Sequence, residues 1–137
     1  MAERKARRYA RLSLAIVYLA AGIFHLAHPA PFLKITPNWV PQPSLVIALT
    51  GLCEIAGAIA LTQWWNPGLR KAAGGMLALY AVCVFPANIN HMLMDSARPD
   101  HGLGWVYHAP RMVLQPVLVW LALWSAHVIQ WPFGRDG

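Results

Sequence analysis

Four apolar runs, each about as long as a bilayer-spanning helix, limit this chain to very few folds. They cover residues 12–28, 44–63, 72–94 and 106–128. A helix needs about 20 predominantly apolar residues to cross the hydrocarbon core, and lipid offers no partner for free backbone groups. We therefore predict an all-α fold, an integral membrane four-helix bundle in which residues 1–137 form a single transmembrane domain.

The charge content agrees with a membrane protein. Hydrophobic residues make up 58% of the chain and charged residues 12%, whereas a soluble domain has about 25% charged residues. The net charge of +6 does not indicate nucleic-acid binding, because five of the eleven basic residues crowd together before the first run, where a topology signal belongs. No small-x-small site is well placed before His25, so we expect a retained first helix rather than a cleaved signal peptide.

The charges outside the runs predict an orientation. The N-terminal segment is strongly basic, and the second loop carries Arg70 and Lys71. The first loop has only Lys34, and the third balances Arg98 against two aspartates. Because basic loops stay on the cytoplasmic side, we expect both termini to be cytoplasmic.

The first loop, residues 29–43, contains five prolines. Such a density should exclude a regular helix or a central strand. Phe32, Trp39 and the scarcity of charge indicate a segment at the membrane surface, where tryptophan is favoured. We expect this loop to cap the outer end of the bundle.

The third run contains residues that a membrane span should avoid. Pro86, Asn88, Asn90 and His91 lie within it, although a proline frees backbone groups and polar side chains are costly in lipid. Asn88 and His91 are three residues apart, so they share one helix face. We predict that this face turns toward the other helices, whereas Asn90 points toward backbone freed near Pro86.

The other runs supply polar groups at matching depth. At about 1.5 Å of rise per residue, His25 in the first run, Glu54 in the second and Arg111 in the fourth all fall in the outer half of the bundle. We therefore predict a polar-lined pocket between the helices. The predicted ligand-binding residues are His25, Trp39, Glu54, Phe85, Asn88, His91, Arg111 and Gln115.

These residues also have a purely structural interpretation. Glu54 and Arg111 could form a buried ion pair that holds the bundle together, because a carboxylate at that depth needs a cation or a proton. Asn88 and Gln115 could bridge two helices. His28 is expected at the surface.

Three chemistries could use the pocket. A quinone-like ring needs an apolar slot with one or two convergent donors, which His25 and Arg111 could supply. Proton or solute transfer could use the Glu54 and His25 pair as relay groups. A metal site needs three or more converging ligands from among His25, His91, His108 and Glu54, and without HxxxH or CxxC spacing no metal site is predicted. Cys53 and Cys83 are interpreted as small buried residues, or as a redox pair if their backbones approach closely. No catalytic residue is assigned from the sequence.

Several short motifs follow one another between about residues 12 and 125. They are Gly22-Ile-Phe-His25, Ile35-x-Pro37-x-Trp39-x-Pro41-x-Pro43, Gly51-x-x-Glu54-Ile-x-Gly57, Phe85-Pro86-Ala87-Asn88-Ile89, and Arg111 with Gln115. Together they resemble the DoxX-like family of small four-helix bacterial membrane proteins. The resemblance implies a multi-pass protein of the bacterial cytoplasmic (inner) membrane. Family members are linked to quinone-coupled sulfur oxidation and to oxidative-stress or thiol-redox systems.

Three functions follow as hypotheses. The leading one is a redox-associated membrane protein, at most a subunit of a quinone- or thiol-linked oxidoreductase, that holds a quinone-like ligand as its possible cofactor. The second is a non-enzymatic membrane anchor or partner subunit of a redox or stress-response complex. The third is a transporter for small solutes or protons. Expected partners are the lipid bilayer, a hydrophobic small molecule, and either a partner redox protein or a second copy packed through Gly51 and Gly57.

Overall fold

The computed structural model describes the backbone of residues 2–132 and the side chains of residues 5–132. Over this part of the chain the structure is all-helical, with five helices and no strand, which confirms the predicted class. The predicted tail from residue 133 lies outside the described residues. The helices are α1 (Ala2–Ala27), α2 (Ala30–Ile35), α3 (Pro43–Thr62), α4 (Pro67–Ser96) and α5 (Gly104–Ser125).

Three of these helices are long and apolar enough to cross a membrane. They are Lys5–Ala27 within α1, Pro43–Thr62 and Pro67–Ser96. The outer surface is apolar to a degree that a water-soluble monomer rarely shows. Large exposed hydrophobic side chains include Ile16, Ile23, Leu49, Ile59, Leu79, Val106 and Val113. Both observations indicate a membrane protein.

The longest helices pack in two pairs, α1 against α3 and α4 against α5, and α3 joins the pairs by packing against α4. Their shared core is built from small and branched side chains, among them Leu61, Leu77 and Ala122. Gly74 permits a close α4–α5 contact, because a Cβ there would lie 2.3 Å from the Ala126 Cβ. The core ends at Tyr18, beyond which polar side chains enter the bundle interior.

The proline-rich first loop differs from its prediction. Residues 30–35 form the short helix α2, which follows Pro29 and has Pro31 in its first turn. Proline is tolerated there because the first N–H groups of a helix have no intrahelical partner. The expectation that five prolines exclude a helix was therefore wrong for this segment. The predicted second helix starts at Pro43 rather than Ser44.

The N-terminal basic segment contains one residue that is part of the core. The Arg7 side chain is fully buried, and its Nη1 donates to the Trp124 carbonyl at 2.8 Å. Its Nη2 donates to Gln130 Oε1 at 2.6 Å, and the guanidinium lies 4.9 Å from the Trp124 ring centroid. Arg7 thus joins the start of α1 to the carbonyl end of α5, where a cation also opposes the negative end of the helix dipole.

We predict that Arg7→Gln lowers the free energy of unfolding by about 1–3 kcal/mol, because it leaves buried carbonyl acceptors without a donor. Arg8→Gln is the matched control, since Arg8 is exposed, and it should change stability by less than about 0.5 kcal/mol. Thermal unfolding in detergent compares the two variants. Equal effects would contradict the tethering role of Arg7.

Candidate functional site

A cavity of about 400 Å³ lies among α1, α3, α4 and α5, and the chain from α2 to α3 forms one of its walls. Six of the eight predicted ligand-binding residues line it: His25, Trp39, Glu54, Asn88, Arg111 and Gln115. Phe85 and His91 do not line it. Most of the remaining wall is apolar, including Val17, Ile47, Val84, Leu114 and Leu118.

The α2 segment closes one side of the cavity. Phe32 stacks on the His25 ring with centroids 3.7 Å apart, and Asn90 Nδ2 donates to the Ile35 carbonyl at 2.8 Å. Asn90 therefore holds α2 against α4. The prediction that its side chain points toward the backbone freed near Pro86 was wrong. The Trp39 side chain is 72% exposed although it lines the cavity, which places it at the mouth.

Glu54 is the buried charge around which the cavity is arranged. Its side chain is only 3% exposed, and its Oε2 lies 2.7 Å from His25 Nδ1. The predicted Glu54–Arg111 pair does not form, because Arg111 Nη1 contacts His91 Nδ1 at 2.9 Å. α1 and α3 are adjacent helices, so the imidazole on α1 is the partner that Glu54 meets.

The proton on His25 can be assigned from its neighbours. Nδ1 lies 3.0 Å from the Ala21 carbonyl as well as close to Glu54, and both of these groups accept. Nδ1 therefore carries the proton, but Glu54 Oε2 still has no aligned hydrogen bond. With Nδ1 protonated, Nε2 of a neutral ring is an acceptor. The predicted donation from His25 to a ligand carbonyl thus requires a protonated ring.

Two tyrosines beside Glu54 were missed by the sequence analysis. Tyr18 and Tyr80 both line the cavity, and their rings pack edge to face with centroids 6.2 Å apart. Both tyrosines lie close enough to Glu54 to interact with it electrostatically, and the buried Tyr18 hydroxyl has no hydrogen-bond partner. Tyr18 is seven residues before His25, two helical turns away on the same face, and this spacing could have identified it.

Two glycines bring α1 and α3 close enough for His25 to reach Glu54. A Cβ on Gly22 would lie 2.6 Å from the Gly51 carbonyl oxygen, and one on Gly51 would lie 3.0 Å from the Gly22 carbonyl oxygen. Gly57 instead faces Leu77 of α4. Gly51 and Gly57 therefore pack within the chain against different helices, and they provide no argument for a second copy.

Asn88 and Gln115 join α4 to α5 at the cavity wall. Asn88 Nδ2 donates to Gln115 Oε1 at 3.0 Å, and Gln115 Nε2 donates to the Ala81 carbonyl in the turn before Pro86. Both side chains are buried. The helix-bridging interpretation of these residues is therefore confirmed, although both also border the cavity.

A second polar cluster lies next to the cavity, between the end of α4 and the start of α5. Asp95 Oδ2 lies 2.9 Å from His108 Nε2 and 3.5 Å from His91 Nε2. The Leu103 backbone N–H also donates to this oxygen, at 2.9 Å. The four-residue spacing of His91 and Asp95 predicts one shared helix face, but not their contact with His108 on α5. Asp95 was counted as a loop charge, whereas it is 6% exposed and belongs to α4.

The α4–α5 loop folds over this cluster. Arg98 donates twice to Asp100, at 2.8 Å each. These bonds, with a further one from the Gly102 N–H, lower the pKa of Asp100 to about 2. Gly102 has a φ of +53°, and a Cβ there would lie 2.3 Å from Asp95 Cγ, so only glycine fits.

The two cysteines do not form a disulfide. Cys53 on α3 and Cys83 on α4 are both free and exposed, so the prediction that they are buried was wrong. Cys83 also contributes to the cavity lining.

One comparison with known proteins identifies a family. A family model described as a domain of unknown function (DUF8561) matches residues 14–126, from the first core residue of α1 to the end of α5. No curated protein and no solved structure matches the chain. The resemblance to the DoxX-like family stays a prediction.

We predict that Gly22→Ala lowers the free energy of unfolding by about 1–3 kcal/mol, because the added methyl group forces α1 away from α3. The matched control is Gly75→Ala on α4, where a Cβ meets nothing within 4 Å. That change should be neutral or stabilise by about 0.5–1 kcal/mol through helix propensity. Thermal unfolding in detergent measures both, and a Gly22→Ala variant as stable as Gly75→Ala would contradict the close approach.

Proposed function

This chain belongs to the family described as a domain of unknown function (DUF8561), and we propose that it is a small multi-pass membrane protein that binds a quinone-like molecule in its cavity. The observation that carries the proposal is the cavity itself, mostly apolar but with unpaired polar groups among its lining residues. Its volume of about 400 Å³ falls in the range of about 300–1,000 Å³ in which small-molecule sites occur.

The membrane arrangement supports access for a lipid-soluble ligand. We take α5 as a fourth span beside the three helices that meet the length and hydropathy criteria. Its polar residues His108, Arg111 and Gln115 belong to the interior clusters rather than to the lipid-facing surface. With both termini on the cytoplasmic side of a bacterial inner membrane, α2 and the cavity mouth lie at the outer surface.

Arg111 offers a positive charge to a ligand oxygen. Within the part of the chain that the structure describes, no carboxylate lies within 4.0 Å of its guanidinium, although Arg111 lines the cavity. A charge without a counter-ion in an apolar interior gains from a hydrogen-bonded acceptor. The carbonyl oxygen of a quinone is such an acceptor.

The Glu54 side of the cavity favours a ligand that carries a hydroxyl group. Glu54 Oε2 is buried and lacks an aligned donor, and a buried acceptor without a donor is costly. A quinol hydroxyl would supply that donor, while the tyrosine hydroxyls beside it can donate to the carbonyl of the oxidised form. The site therefore offers partners for both redox forms of a quinone headgroup, as a redox-associated role requires.

We predict that the purified protein in nanodiscs binds about one equivalent of a short-tailed ubiquinone analogue, measured by isothermal titration calorimetry. Arg111→Gln removes a charge-assisted hydrogen bond of about 1.5–3 kcal/mol, so affinity should fall about 10- to 100-fold. His25→Ala should also weaken binding, because the ring supports both Glu54 and Phe32.

The control variant is His28→Ala, because His28 is exposed and does not line the cavity. It should bind the analogue like the unmodified protein. No binding by the unmodified protein would overturn the proposal and leave the anchor-subunit hypothesis. Binding that Arg111→Gln, His25→Ala and His28→Ala all leave unchanged would show that the analogue partitions into lipid instead of entering the cavity.

A further inference from the structure

We propose that His91, Asp95 and His108 form a binding site for a first-row divalent metal ion such as Zn²⁺ beside the cavity. One ligand atom from each residue lies within 4.8 Å of the other two. The sequence predicted no metal site, because spacing within one helix cannot reveal a cluster that joins α4 to α5. The proposal replaces that expectation.

The two distances from Asp95 to the histidines are close to the edges of a coordination polyhedron. Ligand atoms at about 2.0–2.1 Å from a zinc ion lie about 3.3 Å apart in a tetrahedron and about 2.9 Å apart in an octahedron. Asp95 Oδ2 lies 2.9 Å from His108 Nε2 and 3.5 Å from His91 Nε2. The two histidine ligand atoms lie within 4.8 Å of each other, so an ion binds all three residues once the imidazole rings move closer together.

The ligand chemistry selects the class of metal. Two imidazole nitrogens and one carboxylate oxygen are the donors that zinc and non-haem iron use, with the remaining coordination positions left open. Histidine and carboxylate together favour these ions over Ca²⁺ and Mg²⁺, which prefer all-oxygen sites.

The surroundings orient the carboxylate and give access from solvent. The Leu103 N–H donates to Asp95 Oδ2, which is the kind of outer-shell bond that positions a metal ligand. His108 is 2% exposed, and its Nε2–H now donates to Asp95, so this proton must move to the buried, unpartnered Nδ1 before Nε2 can bind an ion. The ring borders a surface pocket together with Ser96, His101 and Trp105, through which an ion can enter.

Arg111 opposes metal binding, and this makes the proposal sharply testable. Its Nη1 contacts His91 Nδ1 at 2.9 Å, so Nδ1 accepts and Nε2 carries the proton. An ion on Nε2 requires that proton to move to Nδ1, and Arg111 must then turn away. Removing the guanidinium should therefore strengthen metal binding, whereas a purely structural cluster gives no such gain.

The test uses the full chain in detergent, stripped of metal with a chelator and titrated with Zn²⁺ alone in competition with a chelating dye. We expect one Zn²⁺ per chain and a metal-dependent rise in the midpoint of thermal unfolding. His108→Ala and Asp95→Asn should each weaken affinity at least about tenfold. Arg111→Met should tighten it by about threefold or more, and the control His28→Ala should change it less than about twofold.

Three results would overturn the proposal. They are no stoichiometric binding by the unmodified chain, affinity unchanged in His108→Ala, and weaker binding in Arg111→Met. If His108→Ala fails to fold, His91→Ala decides the question, because that ring is only half-buried. Thermal unfolding of each metal-free variant confirms that it is folded before titration.

Discussion

A carboxylate buried among apolar helices needs a partner, and the contact between Glu54 and His25 supplies one. The contact depends on the backbones of α1 and α3, which approach closely only because Gly22 and Gly51 lack side chains. It also positions other parts of the site, because Phe32 of α2 stacks on the His25 ring and Tyr18 and Tyr80 lie beside Glu54. The cavity lies between the four longer helices, and these polar groups form part of its wall.

Because Glu54 pairs with His25, Arg111 is not its counter-ion and contacts other groups. Its guanidinium borders the cavity and contacts His91, which in turn belongs to the cluster with Asp95 and His108. Arg111 therefore lies between the ligand cavity and the proposed metal site. A ligand oxygen that binds Arg111 would draw its guanidinium away from His91. Ligand binding in the cavity should therefore strengthen metal binding at His91, Asp95 and His108, and metal binding should strengthen ligand binding.

Periodicity and depth predicted the all-helical class and placed six of the eight candidate ligand-binding residues in the cavity lining, because both depend on position along a helix. They left the partner of Glu54 open between Arg111 and His25, because that choice is decided by which helices are neighbours. For the same reason Asp95 was taken as a loop charge, although its partner His108 is on the next helix. Arg7 was interpreted only as a topology signal, and nothing in a basic N-terminal run predicts that its guanidinium is buried against the end of α5. Pro31 was read as a helix breaker, but at the first turn it is compatible with α2.

The most direct test of the central claim is native mass spectrometry of the protein extracted from its own membrane. The unmodified chain should carry one adduct with the mass of an isoprenoid quinone, released on mild activation. The matched variant is Ala21→Phe, which fills a position in the cavity wall, and it should lose the adduct while keeping its helical circular dichroism. An adduct that persists in Ala21→Phe, or no adduct in the unmodified chain, would contradict the account.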